Sequence, residues 1–139
     1  MLSQITFTSH VRDSVTFEAY REIGVRNDAI CKSLGFTGRL FVVESEQLNI
    51  IEGPSDINEK YYSAFVNDPR AKVTIRHFSR DIARRDFQDY GVWVNHSLMN
   101  KNLPAELHSL TKDTLDTAMT PHLPLRLRLI IDSYIRPKL

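Results

Sequence analysis

Two neighbouring apolar runs constrain the fold of this chain more than any other feature of its sequence. The first run, Thr37–Val43, opens with a Thr-Gly pair, and the second, Gln47–Pro54, ends in Gly-Pro. A short polar break over Glu44–Glu46 separates them. Short apolar runs bounded by Gly, Pro and polar residues are typical of strands, and a break of this length joins antiparallel neighbours. The two runs therefore predict a β-hairpin.

The second strand of this hairpin carries an amide between two apolar residues. Asn49 lies between Leu48 and Ile50. Because side chains alternate across a strand, Gln47, Asn49 and Ile51 share one face. A buried amide needs hydrogen-bond partners, so Asn49 is a candidate polar site inside the sheet.

Flanking segments supply the other elements of an α+β fold. Alternating residues indicate strands, and apolar residues spaced three and four apart indicate helices. The predicted elements are a strand over Ile5–Ser9, a helix over Thr16–Leu34, the hairpin, a second helix from Pro54 to just before Asn67, and strands over Lys72–Phe78 and Tyr90–Val94. The order β-α-β-β-α-β-β predicts a ferredoxin-like sheet with two helices on one face and a charged connection over Ser79–Phe87.

Residues 97–139 differ in character from the first 96, so we expect a first domain over residues 1–96 and a C-terminal helical extension over 97–139. Pro104, Pro121 and Pro124 interrupt the extension. Leu125–Ile135 begins after a proline and carries apolar residues at helical spacing, which favours a helix. The extension is expected either to pack on the open face of the sheet or to form an interface with another protein.

Composition excludes several classes of function. Eighteen basic and seventeen acidic residues leave a net charge of +1, so there is no electrostatic case for nucleic acid or an anionic membrane. Cys31 is the only cysteine, which excludes an internal disulfide and a cysteine-rich zinc site. The first residues lack the positive region and the long apolar run of a signal peptide, and no apolar stretch approaches the roughly 20 residues of a membrane span. A cytoplasmic protein is therefore expected.

Enzyme motifs are also missing from the sequence. The chain has no Gly-rich phosphate loop and no nucleophile elbow. Its five histidines are scattered rather than spaced as metal ligands. We therefore expect a protein that is not an enzyme.

Four short motifs occur in order over residues 3–95: Leu34–Phe41, Leu48–Pro54, Asn67–Arg70 and Ile82–Phe87. Each motif alone is weak, but the series resembles the BLUF domain, a family of blue-light sensors that use FAD. The resemblance implies a flavin ring between the two helices. It also implies that a tyrosine, a glutamine and an asparagine contact the ring and carry its photochemistry.

All three of these family positions hold other residues in this chain. Phe7 stands at the tyrosine position and lacks the hydroxyl, so it supplies no proton and is a poor electron donor. Asn49 stands at the glutamine position with a side chain shorter by one methylene. Cys31 stands at the asparagine position, where a thiol behaves mostly as a small hydrophobic group. The usual light-driven transfer is not expected from these residues.

Three further residues complete the candidate flavin pocket that the resemblance implies. Ser9 follows the tyrosine position by two residues, and Asn27 lies one helical turn before Cys31, where it is a substitute amide. Arg70 matches a family arginine near the ribityl-phosphate. FAD is the cofactor implied by the resemblance, and its retention is brought into question by the three substitutions.

Two readings of function follow. The first is a divergent BLUF-fold sensory or regulatory module without the usual photocycle, which acts through a protein partner or as a homo-oligomer. The alternative is a FAD-binding blue-light photoreceptor that uses Tyr20, Tyr90 or Trp93 as its electron donor. The sequence leaves open whether neighbours such as Phe36 or Tyr20 fill the pocket or whether a different ligand enters it.

Overall fold

A six-stranded sheet with helices on both faces forms the framework of the computed structural model, which describes residues 1–139. The strands are β1 (Leu2–Val11), β2 (Thr37–Val43), β3 (Glu46–Pro54), β4 (Ala71–Ile82), β5 (Tyr90–Asn95) and β6 (His108–Ser109), and the helices are α1 (Phe17–Ser33), α2 (Ser55–Val66), α3 (Lys112–Ala118) and α4 (Leu125–Ile130). A π-helical turn over Ile131–Ile135 and a 3-10 turn over Arg136–Lys138 continue from α4. The strands lie in the order β4-β1-β3-β2-β5-β6.

The predicted hairpin lies at the centre of this sheet. β2 and β3 are antiparallel and are joined by Glu44 and Ser45, with Glu44 in the left-handed region at φ 51°. β1 pairs antiparallel with β3 and places Phe7 opposite Asn49. β5 pairs parallel with β2. The predicted α+β, ferredoxin-like fold class is confirmed, and β6 is a short addition to it.

Local signals explain where α1 begins and ends. The Thr16 hydroxyl accepts a hydrogen bond from the Ala19 amide at 3.2 Å and so caps the first turn. Gly35 adopts φ +71° directly after the helix, where a side chain would be strained. Tyr20 and Cys31 are buried on the face that packs on the sheet.

Each face of the sheet has its own apolar core. The face under α1 and α2 includes Ile5, Phe7, Leu40, Ile51 and Val92. On the opposite face, side chains of the hairpin pack against residues 115–135, a cluster that includes Phe41, Leu48, Ile50, Leu127, Ile131 and Ile135. Strand β3 therefore contributes to both cores, because its successive side chains alternate between them.

Strand β4 is longer than predicted. It continues through Ser79–Ile82, which the sequence pattern indicates as a connection, because Leu2 pairs with Ile82 and keeps β1 bonded along its length. β4 is an edge strand with mostly exposed side chains, so it lacks the alternation that marks a half-buried strand. None of the helices combines the length and the apolar character that crossing a lipid bilayer requires.

A buried carboxylate fixes the connection between β4 and β5. Glu52 is fully buried. Its Oε1 accepts hydrogen bonds from Thr37 Oγ1 at 2.8 Å and the Phe87 amide at 3.0 Å. Its Oε2 accepts from Gln4 Nε2 at 2.9 Å and the Asp86 amide at 2.8 Å. Four donors thus satisfy one carboxylate and hold the connection against the end of the hairpin.

Candidate functional site

A groove of about 280 Å³ lies between α1 and α2, on the sheet face to which the family resemblance assigns the flavin. Asn27 of α1 and Tyr61 of α2 both line it. Apolar residues of the two helices, including Ile23, Ile30 and Phe65, form much of its walls. Beneath the groove lie the side chains of β1, β3 and β5 that face the helices.

Phe7 belongs to an aromatic cluster under α2. It is 1% exposed, and its ring meets Tyr62 and Phe65 edge to face, with centroids 5.0 and 4.9 Å apart. Such T-shaped contacts are the favoured geometry for buried aromatic rings. Phe7 therefore contributes apolar packing at this position, with no polar atom on its side chain.

Asn49 is fully buried and hydrogen-bonded on one side only. Its Oδ1 accepts from the Tyr90 hydroxyl at 3.2 Å, and its Nδ2 has no partner in the protein. An unpaired buried donor costs roughly 1–3 kcal/mol, so this amide is the least satisfied group of the site.

Asn27 connects the sheet to both helices. Its Nδ2 donates to the Tyr90 hydroxyl at 2.8 Å, and its Oδ1 accepts from the Tyr61 hydroxyl. The Cys31 thiol lies 3.9 Å from the same Oδ1, a weak contact. The chain Asn49–Tyr90–Asn27–Tyr61 thus runs from β3 through β5 and α1 to α2, and its last bond joins the two helices directly.

Burial keeps the titratable members of this network protonated. It raises the pKa of the Cys31 thiol to about 11. It also raises the pKa values of Tyr61 and Tyr90 well above their ordinary value, and the nearby Cys31 adds to both shifts. At neutral pH the network therefore consists of uncharged donors and acceptors.

Arg70 and Ser9 lie away from the network. Arg70 is exposed at the rim of the groove, where its guanidinium donates to both carboxylate oxygens of Asp68. The Arg70 pairing lowers the pKa of Asp68 and compensates the positive charge. Ser9 is buried 3.5 Å from the Thr74 hydroxyl, outside the groove.

The structure thus brings Asn27, Cys31 and Asn49 together and leaves the other three candidates outside their network. Sequence reasoning does not identify Tyr61 as a site residue, although helical spacing places it on the apolar face of α2. Phe36 packs edge to face on Tyr61 with centroids 5.5 Å apart, which fills the space beside it.

Only one of the three alternative electron donors lies in the network. Tyr90 bonds to both amides, as described above. The Tyr20 hydroxyl donates to the backbone oxygen of Glu44 near the hairpin turn. Trp93 stacks on His108 at 4.7 Å and packs with the core on the opposite face of the sheet. No group of His, Cys, Asp and Glu side chains is placed to hold a metal ion.

Comparisons with known proteins identify relatives by sequence and by fold. A family model described as "BLUF: Sensors of blue-light using FAD" matches residues 2–92. No curated protein matches the chain at a significant level. The structure of "BlrB - a BLUF protein, dark state structure" is 24% identical with a TM-score of 0.58, and the match covers 66% of this chain and 70% of that one.

Two further structures match over almost the whole of this chain. Klebsiella pneumoniae BlrP1 with FMN and cyclic diGMP is 19% identical with a TM-score of 0.70, over 95% of this chain and 34% of BlrP1. BlsA in its photo-activated state is 13% identical with a TM-score of 0.64, over 96% of this chain and 94% of BlsA. The chain thus spans about a third of BlrP1, and at these identities both matches show the fold.

Proposed function

Because the chain belongs to the BLUF family, we propose that it is a sensory or regulatory module of that fold which has lost the flavin photocycle. It acts without catalysis, through a protein partner or a second copy of itself. The observation that carries this proposal is the hydrogen bond between Asn27 and Tyr61, which bridges α1 and α2 where the family is expected to hold its flavin ring.

The residues between the helices do not fit a flavin bound in the family manner. A ring inserted there separates Asn27 from Tyr61, and breaking a buried hydrogen bond without replacement costs about 1–3 kcal/mol. Phe7, at the tyrosine position, packs against aromatic rings and offers no hydroxyl. Arg70 is already paired with Asp68. Phe7 thus supplies no hydroxyl, and Arg70 no unpaired guanidinium, for a flavin bound in the family manner.

Residues 97–139 are the proposed output surface of the module, and their division from residues 1–96 is part of this proposal. Leu127 and Ile131 are buried against the sheet, whereas Leu125 and Leu129 are 70% and 58% exposed. Leu125 and Leu129 lie four residues apart and therefore on one side of α4. This exposed pair supports a contact with a partner or a second copy.

A photoreceptor that uses Tyr90 as its electron donor is the second candidate function. Two observations favour it: the Tyr90 hydroxyl contacts Asn49 at 3.2 Å, and Asn49 Nδ2 has no protein partner. Tyr90 thus places a phenol next to the Asn49 amide, although this phenol comes from β5, whereas the family's tyrosine position is on β1.

Absorption spectroscopy tests the two candidates. The purified full chain is incubated with FAD, FMN or riboflavin, desalted and illuminated with blue light. We expect no retained flavin and no light-induced change. A reversible red shift of bound flavin contradicts the first proposal, and loss of that shift in Tyr90→Phe assigns the activity to the second.

A matched set of variants tests whether Tyr61 blocks the site. The triple variant Phe7→Tyr/Asn49→Gln/Cys31→Asn restores the family side chains, and adding Tyr61→Ala removes the bridge. We expect flavin to be retained by the quadruple variant and not by the triple one. Equal retention by both shows that Tyr61 does not block the site.

A further inference from the structure

A second groove, of about 550 Å³, shares no lining residue with the groove between α1 and α2. It is formed where β2 begins, by the connection between β4 and β5 and by the connection between α3 and α4. Its basic lining residues are Arg39, Arg84, Arg85 and His122. We propose that this basic groove binds a small ligand through a phosphate group, a role that the proposed function does not include.

Arg39 is the buried cation of the basic groove. It is 8% exposed, and its Nε donates to the Ala118 carbonyl at 2.9 Å. Its Nη1 donates to the Gly38 carbonyl and to the backbone and carboxylate oxygens of Asp89. Nη2 has no acceptor in the protein, although Arg39 lines the groove. A fixed guanidinium with two unused N–H groups is a prepared site for an oxyanion.

Two more arginines of the basic groove have no carboxylate partner. Arg85 Nη1 donates to neutral oxygens only, those of Gly35, Thr37 and the Glu52 backbone. Arg84 is exposed and makes neither a hydrogen bond nor an ion pair in the protein. Their two positive charges are thus uncompensated by direct contacts, in a concave site that favours an anion.

Each of the two acidic residues of the basic groove lies beside a cation. Asp89 pairs with Arg39 at 2.8 Å and is otherwise turned to solvent. Asp86 lies 3.7 Å from Arg80 and 3.8 Å from Arg126. Three arginines against two aspartates leave the lining of the groove with a positive balance of charge.

A phosphate group fits these properties better than an apolar or peptide ligand. Arginine presents a planar fork of donors that matches phosphate oxygens. The groove volume falls within the roughly 300–1,000 Å³ of small-molecule sites, and only one of its ten lining residues is hydrophobic. Arg128 fixes one wall by donating to the Thr120 and Pro121 carbonyls at 3.1 and 3.0 Å. The geometry is therefore that of a polar groove lined by arginines.

Isothermal titration calorimetry of the full chain tests the proposal. The probes are inorganic phosphate, pyrophosphate and glycerol phosphate, each at constant ionic strength in a phosphate-free buffer, so that the free ion and the ester are distinguished. We expect at least one of them to bind, and Arg84→Gln to weaken that binding about tenfold through loss of a charge-assisted contact.

A charge-matched control separates a site from general attraction. Arg12 is exposed on the loop after β1, at the opposite end of the sheet from the start of β2, and its side chain forms no hydrogen bond or ion pair. Arg12→Gln removes the same charge and is expected to change the affinity less than about twofold. Arg39→Lys keeps the charge but loses the fork, and it should weaken binding as Arg84→Gln does.

Three results overturn the proposal. They are the absence of binding by all three probes, equal weakening by Arg84→Gln and Arg12→Gln, and Arg84-dependent binding of a glutamate-rich peptide when no phosphate probe binds. Circular dichroism of each variant verifies that it is folded.

Discussion

Substituting the buried carboxylate of Glu52 gives the sharpest test of how this fold is held together. Glu52→Gln keeps the shape of the side chain but replaces one acceptor oxygen with an NH₂ group. Each carboxylate oxygen accepts one side-chain and one backbone donor. Whichever oxygen is replaced, the new NH₂ faces the backbone amide of Asp86 or of Phe87, which then has no acceptor.

The magnitude follows from these bonds. An unpaired buried backbone N–H costs roughly 1–3 kcal/mol, and hydrogen bonds to a charged group contribute about 1.5–3 kcal/mol each. We therefore expect Glu52→Gln to lower the free energy of unfolding by about 3–5 kcal/mol, since two charge-assisted bonds are lost and the other two become neutral. Natural domains are stable by about 5–15 kcal/mol, so this loss is a large fraction of the total stability.

Urea denaturation followed by circular dichroism measures this loss. With a slope of about 2 kcal/mol/M, the midpoint should fall by about 1.5–2.5 M. Glu59→Gln is the matched control: Glu59 pairs with Arg76 at 2.8 Å but is half exposed, and its loss should change stability by less than about 1 kcal/mol. If Glu52→Gln does not fold, Thr37→Val removes one of the four donors and should lower stability by about 1 kcal/mol.

A free energy of unfolding for Glu52→Gln within about 1 kcal/mol of the parent chain refutes the reasoning. That result would mean that the connection between β4 and β5 relaxes freely around an amide.

Three other predictions address the helix pair, the hairpin and the buried thiol. Tyr61→Phe should lower stability by about 1–2 kcal/mol because it loses the bond between the helices. Tyr62→Phe keeps the ring packed on Phe7 and leaves that bond intact, so it should lower stability by less than Tyr61→Phe does in the same urea assay. Gly38→Ala should abolish folding, since its Cβ would lie 1.9 Å from a backbone oxygen of β3. The Cβ of Gly35→Ala meets no atom within 4 Å, so this variant should lose only about 1 kcal/mol of stability, because of its positive φ. Similar soluble yields of the two variants would contradict this prediction. Burial raises the pKa of Cys31 from 9.0 to about 11, so the native chain holds this proton more tightly than the unfolded chain. Between pH 8 and pH 10 the stability of the parent chain should therefore fall by about 1.4 kcal/mol more than that of Cys31→Ala, and an equal fall in both would contradict this.

Most of the fold could be predicted because its signals are local. The hairpin follows from two apolar runs and a polar break, and α1 from its spacing, from the Thr16 cap and from Gly35. The end of β4 could not be predicted in this way. Arg80 and Asp81 are exposed on an edge strand, and only their pairing with β1 reveals that they continue it.

The site was partly predictable for the same reason. Alternation along β3 places Asn49 on the helical face, and helical spacing places Asn27 and Cys31 on one side of α1. The bond from Asn27 to Tyr61 depends on how two helices pack, and no local pattern reports that. The unused Nη2 of Arg39 cannot be predicted from sequence either, because it depends on how the β4–β5 connection and the end of α3 pack beside β2.

The place of β1 in the sheet also bears on how the chain is made. β1 is synthesised before both of its partners, β3 and β4, and the second of these ends only at Ile82. At a translation rate of about 5–20 residues per second, β1 waits roughly 4–15 s before its last partner has been assembled. During that time Ile5 and Phe7, both buried in the native state, lie on a strand with at least one unpaired edge. The order of the strands along the chain therefore leaves β1 incompletely paired until residue 82 has been made.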